Sequence, residues 1–395
     1  MAVPKLRFKE FDGDWSPYVL KDFVSFRKGK GISKADISED GINECIRYGE
    51  LYTTYGQVIT KVQSKTHVSK SECVLSQAGD VLIPASGETQ IDIATASCVL
   101  KEDVILSGDL NILSHKENGE WLAYYLSSAK KLDIAQLAQG NSVVHLYSSQ
   151  LKDLKINKPS KAEQTKIASF LSSVDEKISQ LTQKHELLNQ YKQGMMQKLF
   201  SQHIRFKADD GSEFEEWDEK ILSELFDYAN GKSFEAEVIE NGSFKLITLN
   251  SIDIKGNLKN SHKTISQGDN SLLRNDLIMI LSDVAHGNFL GLTAIIPDNS
   301  FVLNQRVGRL RSKTDINICY MRFYINFNQK YFKLNGQGSS QLNLSKGDVL
   351  SFPVNLPCLE EQTKIANFLS AIDQKIEVVT QQIEQAKKKK KGLLQ

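Results

Sequence analysis

"EQTKIASFLSSVDEKI" runs from Glu163 to Ile178, and "EQTKIANFLSAIDQKI" runs from Glu361 to Ile376. Twelve of the sixteen positions are identical, more than a shared amphipathic period imposes on two unrelated helices. The copies answer to the same contact. Sliding the chain against itself by the same 198 positions extends the match: "RFKEFDG" from Arg7 falls on "RFKADDG" from Arg205, and "GNSVVHLYSSQLKDLKINKP" from Gly140 falls on "GSSQLNLSKGDVLSFPVNLP" from Gly338. The chain is a tandem duplication whose ends agree and whose middles diverge.

Each copy of the phrase opens a heptad pattern. Ile167, Leu171, Val174, Ile178, Leu181, His185, Leu188, Lys192, Met195 and Leu199 follow a 4-3-4-3 spacing, apolar except at His185 and Lys192. Ile365, Leu369, Ile372, Ile376, Val379, Ile383, Ala386, Lys390 and Leu393 repeat it in phase, with Lys390 matching Lys192. Two long helices are therefore expected, each spanning roughly 60 Å if about 40 residues long. In the order globule, helix, globule, helix, an antiparallel pair buries both seams without a connection running the length of the rod. Ser160 and Glu163 are spaced as a capping box at the first helix start. Cys358 stands in the serine's place in the second, which is expected to fray more easily.

The expected division is 1–158 for a first globule, 159–202 for the first helix, 203–356 for a second globule and 357–395 for the second helix. Strand-like runs bounded by turn residues fill the globules: "GQVITKV", "GDVLIPA" and "ASCVL", then "FKLITL", "NDLIMIL" and "LTAIIP". "EWLAYYLSS" and "CYMRFYINF" read as helices at equivalent places. The fold class that results is α+β, with two globular domains joined by two long antiparallel coiled-coil helices in a pseudo-twofold tandem repeat.

Composition sets limits. The chain has 395 residues, 40% of them hydrophobic, which suits a globular protein of two or three domains. "MAVPKLRFKEF" has no apolar signal core, and the run Leu277 to Leu281 is far too short for a bilayer. A cytoplasmic location without membrane contact is expected. Five widely spaced cysteines without a CxxC argue against zinc and disulfides. The net charge of +1 is low for a nucleic-acid binder, so much of any phosphate neutralisation is expected from partners.

Catalytic signatures fail in turn. There is no Pro-Pro for an amino-methyltransferase loop, and "NGKS" at Asn230 lacks the first P-loop glycine because Phe226 stands there. "DEK" at Asp175 and "DQK" at Asp373 mimic a nuclease fragment but sit on the coiled-coil helices. Seven scattered histidines offer no metal cluster. Neither a cofactor nor a catalytic residue is indicated.

"RFKEFDGDW", "HLYSSQLKDLKINKP" leading into "EQTKIASFLSSVDEKI", "YKQGMMQKLF" and the second "EQTKIANFLSAIDQKI" together resemble the specificity subunit of a type I restriction-modification system. The resemblance spans the whole chain; the lost cap at Cys358 is its one departure. It implies that each globule is a target recognition domain reading one half of a bipartite, asymmetric site on double-stranded DNA. It further implies that the helices set the gap and dock two methyltransferase subunits, with restriction subunits added outside. A non-catalytic coiled-coil scaffold whose globules bind proteins is the alternative.

Glu163, Gln164, Lys166 and Lys177, with Glu361, Gln362, Lys364 and Lys375, are polar positions retained in both copies and are the expected partner contacts; solvated helix faces are the plainer reading. Base contacts are expected on loops of the divergent middles, from amide, guanidinium, hydroxyl and imidazole groups. The first globule offers Arg47, Tyr48, Ser86, Gly87, Thr89, Asn141, Ser142 and His145. The second offers His286, Asn288, Asn304, Gln305, Arg306, Arg309, Ser339, Ser340, Gln341 and Asn343. The run Lys387 to Lys391 suits either phosphate or the negative end of its own helix.

Overall fold

The computed structural model describes every residue except Met1–Val3, Lys5, Asn141, Ala285–Gly287 and Gln395. The chain forms two compact units, Met1–Lys184 with Val379–Gln395, and His185–Val378. Each unit thus takes one globule and a part of both long helices.

The first unit is organised by the strand Asp80–Pro84, whose residues are all buried. Alternation along the strand sends Val81 and Ile83 into a cluster with Trp15, Trp121 and Leu122, while Leu82 enters a second cluster with Ile46, Leu51 and Ile112. A strand with two apolar faces lies between two layers. It sits in the middle of a five-stranded sheet ordered Val24–Lys28, Leu110–His115, Asp80–Pro84, Ser97–Val99, Val58–Ile59. Helix Gly119–Ser127 packs on the first face and starts where the Asn118 side chain accepts a bond from Trp121 N at 2.8 Å. A four-stranded sheet, Ser64–Thr66, Asn43–Ile46, Ile105–Leu106, Val74–Leu75, supplies Ile46 and Leu106 to the other side.

The second unit repeats this plan with other side chains. Leu277 and Met279 of the strand Leu277–Ile280 face Tyr320 and Phe323, while Ile278 and Ile280 face Ile247, Leu303 and Val307. The sheet order is Phe226–Asn230, Val307–Ser312, Leu277–Ile280, Thr293–Ile295. Helix Ile318–Phe327 is capped by Asn317, which accepts from Tyr320 N at 3.0 Å. The two predicted globular helices and all six strand-like runs therefore form elements of these sheets and their coverings.

The long helices run Lys161–Phe200 and Leu359–Leu393. Every seam position named from the sequence is buried or half-buried. In the first unit Lys390 reaches Asp175 at 2.6 Å, and Leu393 and Leu394 share a cavity wall with Ile167, Phe170 and Leu171, so the helix segments there are antiparallel. In the second unit Lys192 reaches Asp373 at 2.6 Å, and Leu188 joins the cluster of Ile365, Leu369, Ile372 and Ile376. The two lysines that break the apolar seam are thus answered by the aspartates of the repeated phrase. Such a polar pair within a seam fixes register at some cost in stability.

The capping box is only half built. Ser160 Oγ accepts from Glu163 N at 3.3 Å, but the Glu163 side chain turns to the globule instead of back to the cap. Gln164 N and Gln362 N donate to the carbonyls of Ser160 and Cys358 at 2.9 and 3.0 Å, so both helices open with the same backbone bond.

Candidate nucleic-acid interface and helix joints

The repeated phrase is explained first by contacts inside each unit. Arg7 lays its Nε and Nη2 on the two carboxylate oxygens of Glu163 at 2.7 and 2.8 Å, and Trp15 Nε1 donates to the same group at 3.3 Å. Arg205 holds Glu361 at 3.1 and 2.7 Å, with Trp217 Nε1 at 2.9 Å. The carboxylates raise the pKa of both arginines through these side-chain hydrogen bonds, which outweigh the opposing effect of burial. The glutamines complete the joint. Gln164 accepts from Asn118 N at 3.0 Å and donates to Pro159 O at 3.1 Å; Gln362 accepts from Asn317 N at 2.9 Å and donates to Pro357 O at 2.8 Å.

This corrects the expected partner contacts. Glu163, Gln164, Glu361 and Gln362 are between 0% and 2% exposed, so no other subunit can reach them. Their retention records how each globule grips its helix. Lys166 and Lys364 lie at the rim, paired with Glu10 at 3.3 Å and Asp209 at 2.5 Å. Lys177 and Lys375 are exposed. Sequence reading missed Arg7, Trp15, Arg205 and Trp217 as the other half of the joint. The available signal was the Arg-to-Glu separation, which is 156 residues in both repeats.

Several base-contact candidates of each globule converge on a short two-stranded ribbon. In the first, Ser86–Gly87 pairs antiparallel with Val144–His145, and Gln139 and His145 exchange backbone bonds at 2.9 and 2.7 Å. Gly140 turns the chain with φ 122°, and a Cβ there would stand 2.1 Å from Val143 O. Ser142 and His145 are exposed, and the His145 ring stacks on Tyr147 with centroids 6.2 Å apart. In the second, Ser282–Val284 pairs antiparallel with Gln341–Asn343, and Gln337 and Asn343 exchange bonds at 2.9 Å each. Gly338 has φ 123°, and a Cβ there would stand 2.0 Å from Gln341 O. Ser339 and Ser340 are exposed at the turn, Gln341 is half-buried, and exposed Asn343 accepts a bond from Ser282 Oγ. Val143 and Tyr147, exposed on the first ribbon, were not singled out from the sequence.

Other candidates belong to the framework. Ser86 and Gly87 are buried, and a Cβ on Gly87 would meet Ile93 at 2.4 Å. Thr89 caps helix Gln90–Ile93, accepting from Asp92 N at 3.1 Å. Asn304 is 2% exposed and holds Phe234 N and Glu235 at 3.0 Å each; a residue read as a loop amide is a buried clamp. Arg47 pairs with Glu50 at 3.3 Å and Tyr48 packs beside the Ile46 cluster, both half-buried. Arg309 is half-buried; burial lowers its pKa, and its Nη1 donates to Ser271 O at 3.3 Å. Gln305 and Arg306 are exposed on a turn where Arg306 has φ 67°, and Asn288 is exposed with its carbonyl accepting from Gln329. Asn141 and His286 lie outside the described residues.

The nuclease-like carboxylates are also committed. Asp175 accepts from Tyr124 and Lys390, and Asp373 from Lys192 and Arg322. Among the described residues, no group of three or more His, Cys, Asp or Glu is placed to hold a metal ion, and no helix is long and apolar enough to cross a membrane.

Duplicated α+β globules on jointed helices, each presenting a variable ribbon, define a class of paired recognition modules. A family model described as the type I restriction modification DNA specificity domain matches the chain twice, over residues 12–190 and 214–388. The chain belongs to this family, as a specificity subunit that contributes recognition and no catalysis. It is 28% identical to the type I restriction enzyme MjaVIII specificity subunit of Methanocaldococcus jannaschii, covering 98% of this chain and 94% of that one. A putative type I specificity subunit of Mycoplasma genitalium is 32% identical across 61% of this chain and 60% of its own length. The crystal structure of the type I restriction-modification S subunit from M. genitalium superposes with a TM-score of 0.67 at 18% identity, covering 100% and 98% of the two chains.

Proposed function

We propose that each globule reads one half of a bipartite site on double-stranded DNA, with residues 1–158 and 203–356 as the recognition domains. The observation that carries this reading is that the ribbon is kept as backbone and rewritten as chemistry. Gly140 and Gly338 hold the same turn and Ser142 recurs as Ser340, while Val143 and His145 in one copy become Gln341 and Asn343 in the other. Hydroxyl, amide and imidazole groups at such tips suit the edges of base pairs in a groove that admits a two-stranded ribbon. Gln305 and Arg306, exposed on a turn, suit phosphate or guanine.

The long helices, residues 159–202 and 357–395, set the gap between half-sites and dock two methyltransferase subunits, with restriction subunits joining outside. Exposed Lys177 and Lys375 are the retained positions available for that docking. Assembly in the cytoplasm, where chromosomal DNA is accessible, fits this role. Replacing residues 203–356 with the equivalent region of a relative, followed by methylation mapping of the assembled complex, tests the reading. One half of the methylated motif should change while the other half and the gap stay. Simultaneous change of both halves would overturn it.

A further inference from the structure

Each ribbon has a turn of the main sheet beside it. Ala85, just before the ribbon strand Ser86–Gly87, donates its N–H to Asp109 O at 2.7 Å and accepts from Leu146 N at 2.9 Å. Leu281, just before Ser282–Val284, donates to Arg306 O at 3.0 Å and accepts from Leu344 N at 2.8 Å. Asp109 and Arg306 are therefore equivalent residues, each on the turn that opens the strand next to the central one, Leu110–His115 or Val307–Ser312. Three chain segments lie side by side at this level in each unit. With neighbouring strands about 4.8 Å apart, the turn stands about 10 Å from the far segment of the ribbon, a span of about three base-pair steps.

The two turns share a backbone and oppose each other in charge. Asp109 and Arg306 have φ of 56° and 67°, and both are exposed. Among the described residues, neither side chain forms a hydrogen bond or ion pair. The left-handed region suits glycine and, beyond it, asparagine and aspartate; an arginine there is an outlier. Glycine would relieve Arg306 of that conformational cost, so its retention points to a use for the side chain. Phosphate does not explain both turns. An ionised carboxylate only accepts hydrogen bonds, and it repels the DNA backbone. On base edges in the major groove, carboxylates pair with the amino group of cytosine, and guanidinium groups pair with O6 and N7 of guanine.

We propose, resting on the reading of each globule as a recognition domain, that this turn determines one base pair of each half-site. Asp109 accepts from the N4 amino group of a cytosine, and Arg306 donates to O6 and N7 of a guanine. The same place in the fold thus reads opposite members of a G·C pair. Asp109 is absent from the residues that the sequence singled out.

The test maps the motif methylated by the complex assembled with methyltransferase subunits, for the parent, Asp109→Gly and Arg306→Gly. Glycine keeps the positive φ, so the side chain is removed without straining the turn, and circular dichroism checks the fold. Asp109→Gly should relax one G·C position of the first half-site, with discrimination falling roughly fivefold or more. Arg306→Gly should do the same at one G·C position of the second. Asp109→Asn, which also tolerates the turn, offers both a donor and an acceptor and should admit adenine where the parent takes cytosine. Replacing the second-half guanine by 7-deazaguanine, which lacks N7, should impair methylation by the parent and not by Arg306→Gly. An unchanged motif, or a gain or loss equal across all sequences, would overturn the proposal. Exchanging residues 1–158 for those of a relative separates the two levels. If the exchange alters the first half-site and Asp109→Gly does not, the turn alone is refuted; if neither alters it, the recognition domain is refuted with it.

Discussion

Within each globule, the joint to the helix and the ribbon at the turn are built on opposite rules. At the joint the two repeats place Arg and Trp as donors on the same Glu carboxylate and Gln on the same backbone groups, down to the proline carbonyl that each glutamine holds. At the ribbon they keep the glycine, its pairing, Gln139 as Gln337 and one serine, Ser142 as Ser340, while Val143 and His145 give way to Gln341 and Asn343. Between these extremes the framework drifts by compensation. Asp80 at the head of its strand is paired with Arg27, two strands away in the sheet, whereas its counterpart Asp276 is paired with Arg311 of the adjacent strand. A buried carboxylate needs a cation, and the adjacent strand or the one beyond it can provide it. Geometry is retained where the chain must grip, and chemistry is free where it presents.

The largest effect that sharpens this contrast is at the joint. Glu163→Ala leaves the Arg7 guanidinium and Trp15 N–H without their acceptor, and Glu361→Ala does the same to Arg205 and Trp217. Breaking a buried pair from one side costs about 3 kcal/mol. Urea titration followed by tryptophan fluorescence should show losses of similar size for the two variants, each in its own unit. A large asymmetry would mean that the joints only look alike.

At the ribbon the expected result is the reverse. His145→Ala and Asn343→Ala should leave stability within about 0.5 kcal/mol of the parent, since both side chains are exposed. Each should reduce discrimination at one half-site by about 1 to 3 kcal/mol per lost base contact, read by methylation of single-mismatch targets. Loss of methylation at both halves from either change would break the division between gripping and presenting.

A smaller effect separates the two units by pH. His115 ends the strand Leu110–His115 with both ring nitrogens unpartnered, and burial lowers its pKa against the weaker raising influences of Asp80 and Glu117. The unfolded chain then binds a proton that the folded one refuses, so stability present above about pH 6.5 is lost as pH falls from there toward the lowered folded value. His115→Ser, which installs the residue found at the equivalent Ser312, should flatten that slope in the first unit. An unchanged slope would show that His115 is not the group responsible.

The seams and the central strands were legible because their periods are strong: every heptad position is at least half-buried, and "DVLIP" and "LIMI" read as strands and are strands. The joint was not. Glu163 and Gln164 lie off the seam, where helical period alone assigns solvent, and their burial is decided by Arg7 and Asn118, far away in sequence. Asn304 misled for a related reason, since a polar residue before an arginine-rich strand reads as loop until Phe234 N is placed against it. At the ribbon, the repeat offset already set Gly140 against Gly338, but Ser86 and Gly87 were read as presenting residues when they form its buried edge.

The smallest expected effect falls on the helix faces that the joints leave free. Lys177 and Lys375 each follow a seam-facing aspartate by two residues, a rotation of about 200° that directs them away from Asp175 and Asp373. Both are exposed and form no ion pair among the described residues, so Lys177→Glu and Lys375→Glu should not change the unfolding midpoint. If these lysines meet the methyltransferase subunits, each reversal should slow association and steepen its salt dependence, by about 1 kcal/mol or less for an exposed pair. Because the two helices carry equivalent surfaces, the single variants should each weaken one of two docking events, and the double variant should weaken both. Titrating methyltransferase into the parent, single and double variants at two salt concentrations measures this. Equal binding by all four proteins would assign the retained lysines to solvation and leave the buried joints as the whole reason the phrase is written twice.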